Sequence, residues 1–309
     1  TSTLPDILPP LEKACAEKEE GVRTMVAECL GSLACLQPAE LLPKLQALVE
    51  AHSSISAPEG TIEEGDEGSE KNSLVCWTVA TSVKLAISGK IDPAVLSQYM
   101  PTFVKLLEQK EIHVRTAALL LVYSAVHHMP QVVSGLLKDS VFPYLFEVSG
   151  LKMTRVVDLG PFKHTVDDAL PLRKAALSIF ATCLDSAPGS MDIGAFMSVL
   201  AQALGDAEDI QLHAHQIILS MCSKNPSYVV NEVDSFVDPL EKTIRKKPGQ
   251  KTGTELERLN DWIKSALRVI LALAKVEGTM SSRKFLEFND RVNADAKYTA
   301  MIQSLSEES

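Results

Sequence analysis

Histidines, thiols and one lysine-glycine segment are the groups of this 309-residue chain that could do chemistry, and each fails on its spacing. His213 and His215 stand two residues apart, about 200° around a helix, so they cannot hold one metal ion from a single face. His127 and His128 end a helical stretch before Pro130, where imidazoles bond the last free carbonyls. Segment 245–254 carries Lys246, Lys247 and Lys251 with Gly249 and Gly253, which invites comparison with a phosphate-cradling loop. The glycine-to-lysine spacing of such a loop is not met and no strand leads into it, leaving a mobile basic loop. The cysteines (Cys15, Cys29, Cys35, Cys76, Cys183, Cys222) include no Cys-x-x-Cys pair and mostly fall at apolar helical positions, the pattern of buried free thiols in a reducing compartment. No Ser-His-Asp, Cys-His or paired-carboxylate set is recognisable from spacing. The sequence therefore predicts binding rather than catalysis, with no catalytic residue, metal or cofactor.

A binding chemistry is offered instead by residues 153–168, where the apolar period changes to two and β-branched residues replace Ala and Leu. Residues 154–159 and 162–166 read as two strands joined by Gly160 and Pro161, with Gly supplying positive φ at the first central position of a type II′ turn. Strand alternation puts Phe162, His164 and Val166 on one face and Lys163 and Thr165 on the other. A lone hairpin is marginal in water, so it must lean on its neighbours as a lid or be completed by a partner; spacing alone does not choose.

What positions this hairpin is a repeat. Residues 9–38 overlay residues 101–130 without a gap, pairing Lys13 with Lys105, Lys18 with Lys110, Glu19 with Glu111, and Val22-Arg23-Thr24 with Val114-Arg115-Thr116. Within the first copy Val22, Met25, Val26, Cys29, Leu30 and Leu33 trace the stripe of a helix with one buried face. The same template begins again at Val75, Val114, Leu172, Ile210 and Ile263, with Thr78, Ser82 and His213 as imperfect fits. Each such helix is preceded by an amphipathic partner opening near a proline, as at Pro9, Pro101 and Pro239. Helix pairs of about 40 residues, with small residues at the contacts, resemble HEAT repeats. The sequence thus predicts one all-α HEAT-type superhelix over 1–309, about six helix pairs, with one inserted β-hairpin. Arg23, Arg115, Arg173 and Lys264 each follow a first stripe position, and are expected to bond turn carbonyls and acids of the adjoining repeat.

Composition agrees. Hydrophobic residues make up 46% and aromatics 5%, which suits many small helix contacts better than a β-rich core. A formal charge of −10 disfavours nucleic acid or an anionic membrane and favours a basic partner. No apolar run reaches the roughly 20 residues a membrane span needs, so a soluble protein is expected. Residues 53–73, with Glu59, Glu63, Glu64, Asp66, Glu67 and Glu70 against Lys71, read as an acidic disordered insert. The chain opens in a helix-like segment, so a fragment of a longer array is expected, with an apolar flank exposed at its first repeat.

Residues 19–31, 107–119, 159–176, 237–243 and 264–273 together resemble the C-terminal HEAT region of the cullin-associated, neddylation-dissociated proteins, also called TATA-binding-protein-interacting proteins. The resemblance covers nearly the whole chain and is most specific at 159–176. It implies a scaffold that engages an unneddylated cullin–RING ligase and competes with Skp-type adaptor and receptor modules, in cytoplasm and nucleus. The carried-over contact residues are Arg155, Val156, Gly160, Pro161, Phe162, Lys163, His164, Thr165 and Val166, with Phe162 as aromatic anchor. TATA-binding protein is a further partner suggested by the family's older name. A nuclear transport receptor or phosphatase scaffold is the alternative, since the fold does not choose its cargo.

Overall fold

The computed structural model describes residues 4–53, 67–160 and 162–307. They fall into two compact units, Thr1–Met191 and Asp192–Ser309.

The first unit runs α1 (Leu4–Ala14), α2 (Glu20–Leu36), α3 (Pro38–His52), α4 (Glu67–Ser88), α5 (Pro93–Leu96), α6 (Met100–Val104), α7 (Ile112–His128), α8 (Ser134–Leu136) and α9 (Phe142–Ser149). Strands β1 (Thr154–Leu159) and β2 (Phe162–Asp167) follow, then α10 (Leu170–Ser186). Helices α2, α4, α7 and α10 pack in succession, with α3 against α4 and α9 against α10. The stripes of α4, α7 and α10 are buried throughout, Thr78 and Ser82 included. These two hydroxyls are satisfied by carbonyls: Thr78 donates to Cys15 O at 2.9 Å and Ser82 to Thr78 O at 2.7 Å. A helix between two neighbours buries two flanks, so Cys76, Ala80 and Ile87 of α4 and Leu119 and Val126 of α7 are inside as well.

In α2 the buried face is turned from the expected stripe. Arg23, Val26, Ala27, Leu30, Gly31 and Ala34 are inside, while Met25 is 67% exposed and Val22 and Cys29 also face water. The reason is its neighbour: α4 covers one flank of α2, and the helix presents its smallest residues there. A Cβ on Gly31 would lie 2.9 Å from Ser82 O, so the approach admits only hydrogen. Ile7 of α1 and Leu36 of α2 are likewise exposed apolar side chains.

Helix α4 opens at Glu67, which corrects the acidic insert: 67–73 are helical, and Ser73 is buried. Glu67 and Glu70 sit in the first turn, where the helix dipole favours acids, and Glu70 pairs with Lys18 at 3.2 Å. The remaining insert positions from 54 to 66 lie outside the described residues.

Arg23 and Arg115, two of the basic residues that follow a first stripe position, make structural contacts. Arg23 Nη1 donates to the carbonyls of Glu17 and Lys18 at 2.7 and 2.8 Å, and its guanidinium lies over the Trp77 ring of α4. Arg115 donates to Tyr144 Oη at 2.7 Å and its guanidinium lies over the Tyr144 ring. Arg23 thereby ties off two free carbonyls, and Arg115 reaches a tyrosine of a following helix rather than an acid.

The second unit runs α11 (Ile193–Ala203), α12 (Glu208–Lys224), α13 (Pro226–Ile244), α14 (Thr254–Lys275), α15 (Arg283–Ala294) and α16 (Ala296–Glu307). Helix α12 packs on α14 and α14 on α16, while α11, α13 and α15 contact one another in order. In α12 the buried imidazole is His215 rather than His213. The α15–α16 pair was not expected, although Phe285, Phe288, Asn289 and Val292 follow helical periodicity and Ser282 caps the Phe285 N–H. Two prolines are also placed differently from expectation: Pro9 and Pro239 lie inside α1 and α13, and α13 opens at Pro226. Burial of Phe236, Val237 and Leu240 around Pro239 offsets its missing N–H.

Candidate interaction site

The hairpin stands clear of the helices. β1 and β2 pair antiparallel from Thr154 opposite Asp167 to Leu159 opposite Phe162, leaving a two-residue turn. Gly160 in that turn has φ +77°, the left-handed region for which glycine is suited. Register puts Arg155, Val157, His164 and Val166 on one face, and Thr154, Val156, Asp158, Lys163, Thr165 and Asp167 on the other. Asp158 lies opposite Lys163, a pairing of opposite charges that supports this register. Arg155, Val156, Lys163, His164, Thr165 and Val166 are all exposed, so residues of both faces meet water and the lid arrangement is not adopted. Val156 is 65% exposed, an apolar β-branched side chain with no cover among the described residues. Pro161 and the side chain of Phe162 lie outside the described residues, so the expected anchor is placed only by its backbone, opposite Leu159.

Stability comes from the foot. Oδ1 of Asp167 accepts the backbone N–H of Met153 at 3.0 Å and of Ala169 at 3.1 Å, while Oδ2 meets Arg173 Nη2 at 2.8 Å. The other arm of Arg173 donates to Leu151 O at 2.7 Å. Arg173 is 3% exposed and Asp167 19%. Burial alone would raise the Asp167 carboxyl, but the guanidinium and the two backbone donors outweigh it and hold it below its ordinary value. Outside this pair, Arg155 Nε meets Asp168 at 2.6 Å, and the Asp168 N–H donates to Met153 O. Phe180 of α10 stacks on Phe142 and tilts against Phe146 of α9, joining the two helices that flank the hairpin in the chain. Asp168 and Pro171 line an open trough of about 670 Å³ together with Trp77 and Leu120.

Sequence reasoning missed Asp167, Asp168 and Asp167's partner role for Arg173. The available signal was two acids at the end of a strand followed by an arginine six positions beyond the first, but strand reading stopped at Val166.

The other candidate groups are engaged elsewhere. His127 stacks on Tyr123 and meets His128 edge-on, in place of the expected carbonyl caps. The basic loop spans 245–253 between α13 and α14, with Thr254 already helical. Arg245 pairs with Glu241 at 2.7 Å and Lys246 lies 4.4 Å from the centre of the Trp262 ring. Burial pushes the thiols of Cys15, Cys76 and Cys183 up to about 12. Among the described residues no three His, Cys, Asp or Glu side chains gather as a metal site, and no helix is long and apolar enough to cross a membrane.

Comparison with known proteins places residues 132–293 on the family described as "TATA-binding protein interacting (TIP20)", TIP120. The chain is 35% identical to cullin-associated NEDD8-dissociated protein 1 of Arabidopsis thaliana over 291 residues, 92% of this chain and 22% of that protein. It is 30% identical to cullin-associated NEDD8-dissociated protein 2 of Mus musculus over 311 residues, 98% of this chain and 23% of that protein. It thus spans less than a quarter of the length of these relatives. Among solved structures it is similar to a designed armadillo repeat protein at 14% identity and a TM-score of 0.47, covering 85% of this chain and 99% of that one.

Proposed function

From the premise that the chain belongs to the TIP120 family, we propose that it is a cullin-binding scaffold. On this reading it engages an unneddylated cullin–RING ligase, in cytoplasm and nucleus, and its hairpin occupies the surface where a Skp-type adaptor docks. The relatives' names point to the cullin. The observation that carries the reading is the hairpin itself, anchored firmly at its foot and bare on both faces, with Val156 left in water. Exposed apolar side chains on a pre-formed element are what a binding surface needs, because docking buries them without a large ordering cost. Arg155, Val156, Lys163, His164, Thr165 and Val166 would make the contact, with Gly160 and Pro161 turning the tip and Phe162 as the anchor.

Two binders whose footprints overlap exclude one another, so the hairpin needs no chemistry to exchange one receptor module for another. Capture from cell extract tests the reading. Immobilised chain should recover cullins when neddylation is blocked and lose them when it is not. Recovery of Ran-type GTPases or phosphatase subunits instead would overturn it. Recovery of TATA-binding protein alone would favour the second partner that the family description names.

A further inference from the structure

The foot of the hairpin carries most of the polar contacts of the region. Among the described residues, positions 156–160 and 163–166 make no side-chain hydrogen bond or ion pair with a helix, whereas Asp167 makes three polar contacts and Arg173 ties in a fourth. These bonds join the entering backbone at Leu151 and Met153, the leaving backbone at Ala169, and the first turns of α10. We propose that Asp167 and Arg173 are positioning residues, a buried guanidinium paired with a half-buried carboxylate, that set the angle at which the hairpin leaves the helices and so present its tip to a partner in one orientation. The proposal rests on the docking reading above.

Leverage makes the foot matter. A six-residue strand is about 20 Å long at about 3.3 Å per residue, so a 10° swing at its base moves the tip by roughly 3 Å. Docking constellations tolerate about 0.5 Å. A hairpin pivoting freely at its base would therefore spend most of its time outside docking geometry, and the cost would appear as lost affinity at the tip. The exposed Arg155–Asp168 pair cannot do this work alone, because two solvated side chains hold each other weakly. The Arg173 guanidinium is walled off from water and forked, which fixes direction as well as distance.

Asp167→Asn isolates the effect. Asparagine keeps an oxygen for the two backbone donors but turns an NH₂ toward Arg173, setting donor against donor. Asp168→Asn, which disturbs only the exposed pair, is the control, and deletion of 153–168 is the reference for the docking reading. Two readouts are taken on the chain: amide hydrogen exchange across β1 and β2, and affinity for an unneddylated cullin with and without a Skp-type adaptor. Asp167→Asn is expected to speed hairpin exchange about tenfold with α7 unchanged. It should also weaken competition with the adaptor about tenfold while affinity for the adaptor-free cullin falls less. Unchanged exchange in Asp167→Asn overturns the proposal. Faster exchange with full competition also overturns it, provided that the deletion abolishes competition. If the deletion itself leaves competition intact, the docking reading fails, and the exchange data alone decide whether the pair fixes the hairpin.

Discussion

Replacing Gly31 with alanine should destabilise the unit Thr1–Met191, against the helix propensity of the two residues. Alanine in a helix interior is favoured over glycine by about 1 kcal/mol. At Gly31, however, the new methyl meets Ser82 O at 2.9 Å, Leu85 Cβ at 3.0 Å and Ala86 N at 3.4 Å. Two of these atoms are backbone of α4, so no rotamer change relieves them and α2 must move off its neighbour. Overpacking of this kind costs about 1–3 kcal/mol, and the rigid opposing surface places this site in the upper half of that range. The net loss is then about 1–2 kcal/mol. For a unit of this size that lowers the melting temperature by roughly 2–8 °C. Trp77 lies in this unit and Trp262 in the other, so a Trp262→Phe background lets fluorescence report the first unit alone during urea unfolding. Gly21→Ala, whose methyl would find only Glu19 Oε1 at 3.8 Å, should leave the midpoint level or raise it. A Gly31→Ala midpoint at or above that of the parent would refute the close-approach argument.

Phe180→Ala removes the centre of the ring cluster between α9 and α10 and should cost about 3–5 kcal/mol, read as a drop in the urea midpoint of the same Trp77 transition. In the second unit, burial pushes the His215 imidazole down from 6.5 to about 4. The unfolded chain therefore takes up a proton that the folded chain refuses, and stability present above pH 6.5 is lost as pH falls toward 4. His213, also lowered by burial, acts in the same direction. His215→Gln should flatten the difference in midpoint between pH 7 and pH 4.5; an unchanged slope would contradict the assignment. Among the thiols, exposed Cys29 should alkylate first under native conditions, with buried Cys15, Cys76 and Cys183 protected until unfolding, as peptide mapping would show.

Period was the most legible quantity in the sequence. Stripes starting at Val75, Val114 and Leu172 marked helices buried as expected, because those helices lie between neighbours and almost any apolar registration along them is covered. The first stripe was turned for the opposite reason: with α4 on one flank, contact geometry rather than residue type chose the inside face, and it chose Gly31 over Met25. The hairpin was legible because alternation and a Gly-Pro turn are local signals. Its foot was not, since the Asp167–Arg173 pair joins a strand end to the second turn of a helix, and an ion pair of that kind leaves no periodic trace. The last helix pair escaped notice because α15 and α16 are only 12 residues each, and the stripe of α16, Tyr298, Met301, Ile302 and Leu305, runs for only two turns.

The central claim is that the hairpin and an adaptor contend for one cullin surface. It is tested most directly by titrating unneddylated cullin with the chain, with and without residues 153–168, at rising adaptor concentration. The intact chain should lose apparent affinity in proportion to adaptor, and the shortened chain should bind at one level whatever the adaptor concentration. Equal sensitivity of both chains to adaptor would contradict the account.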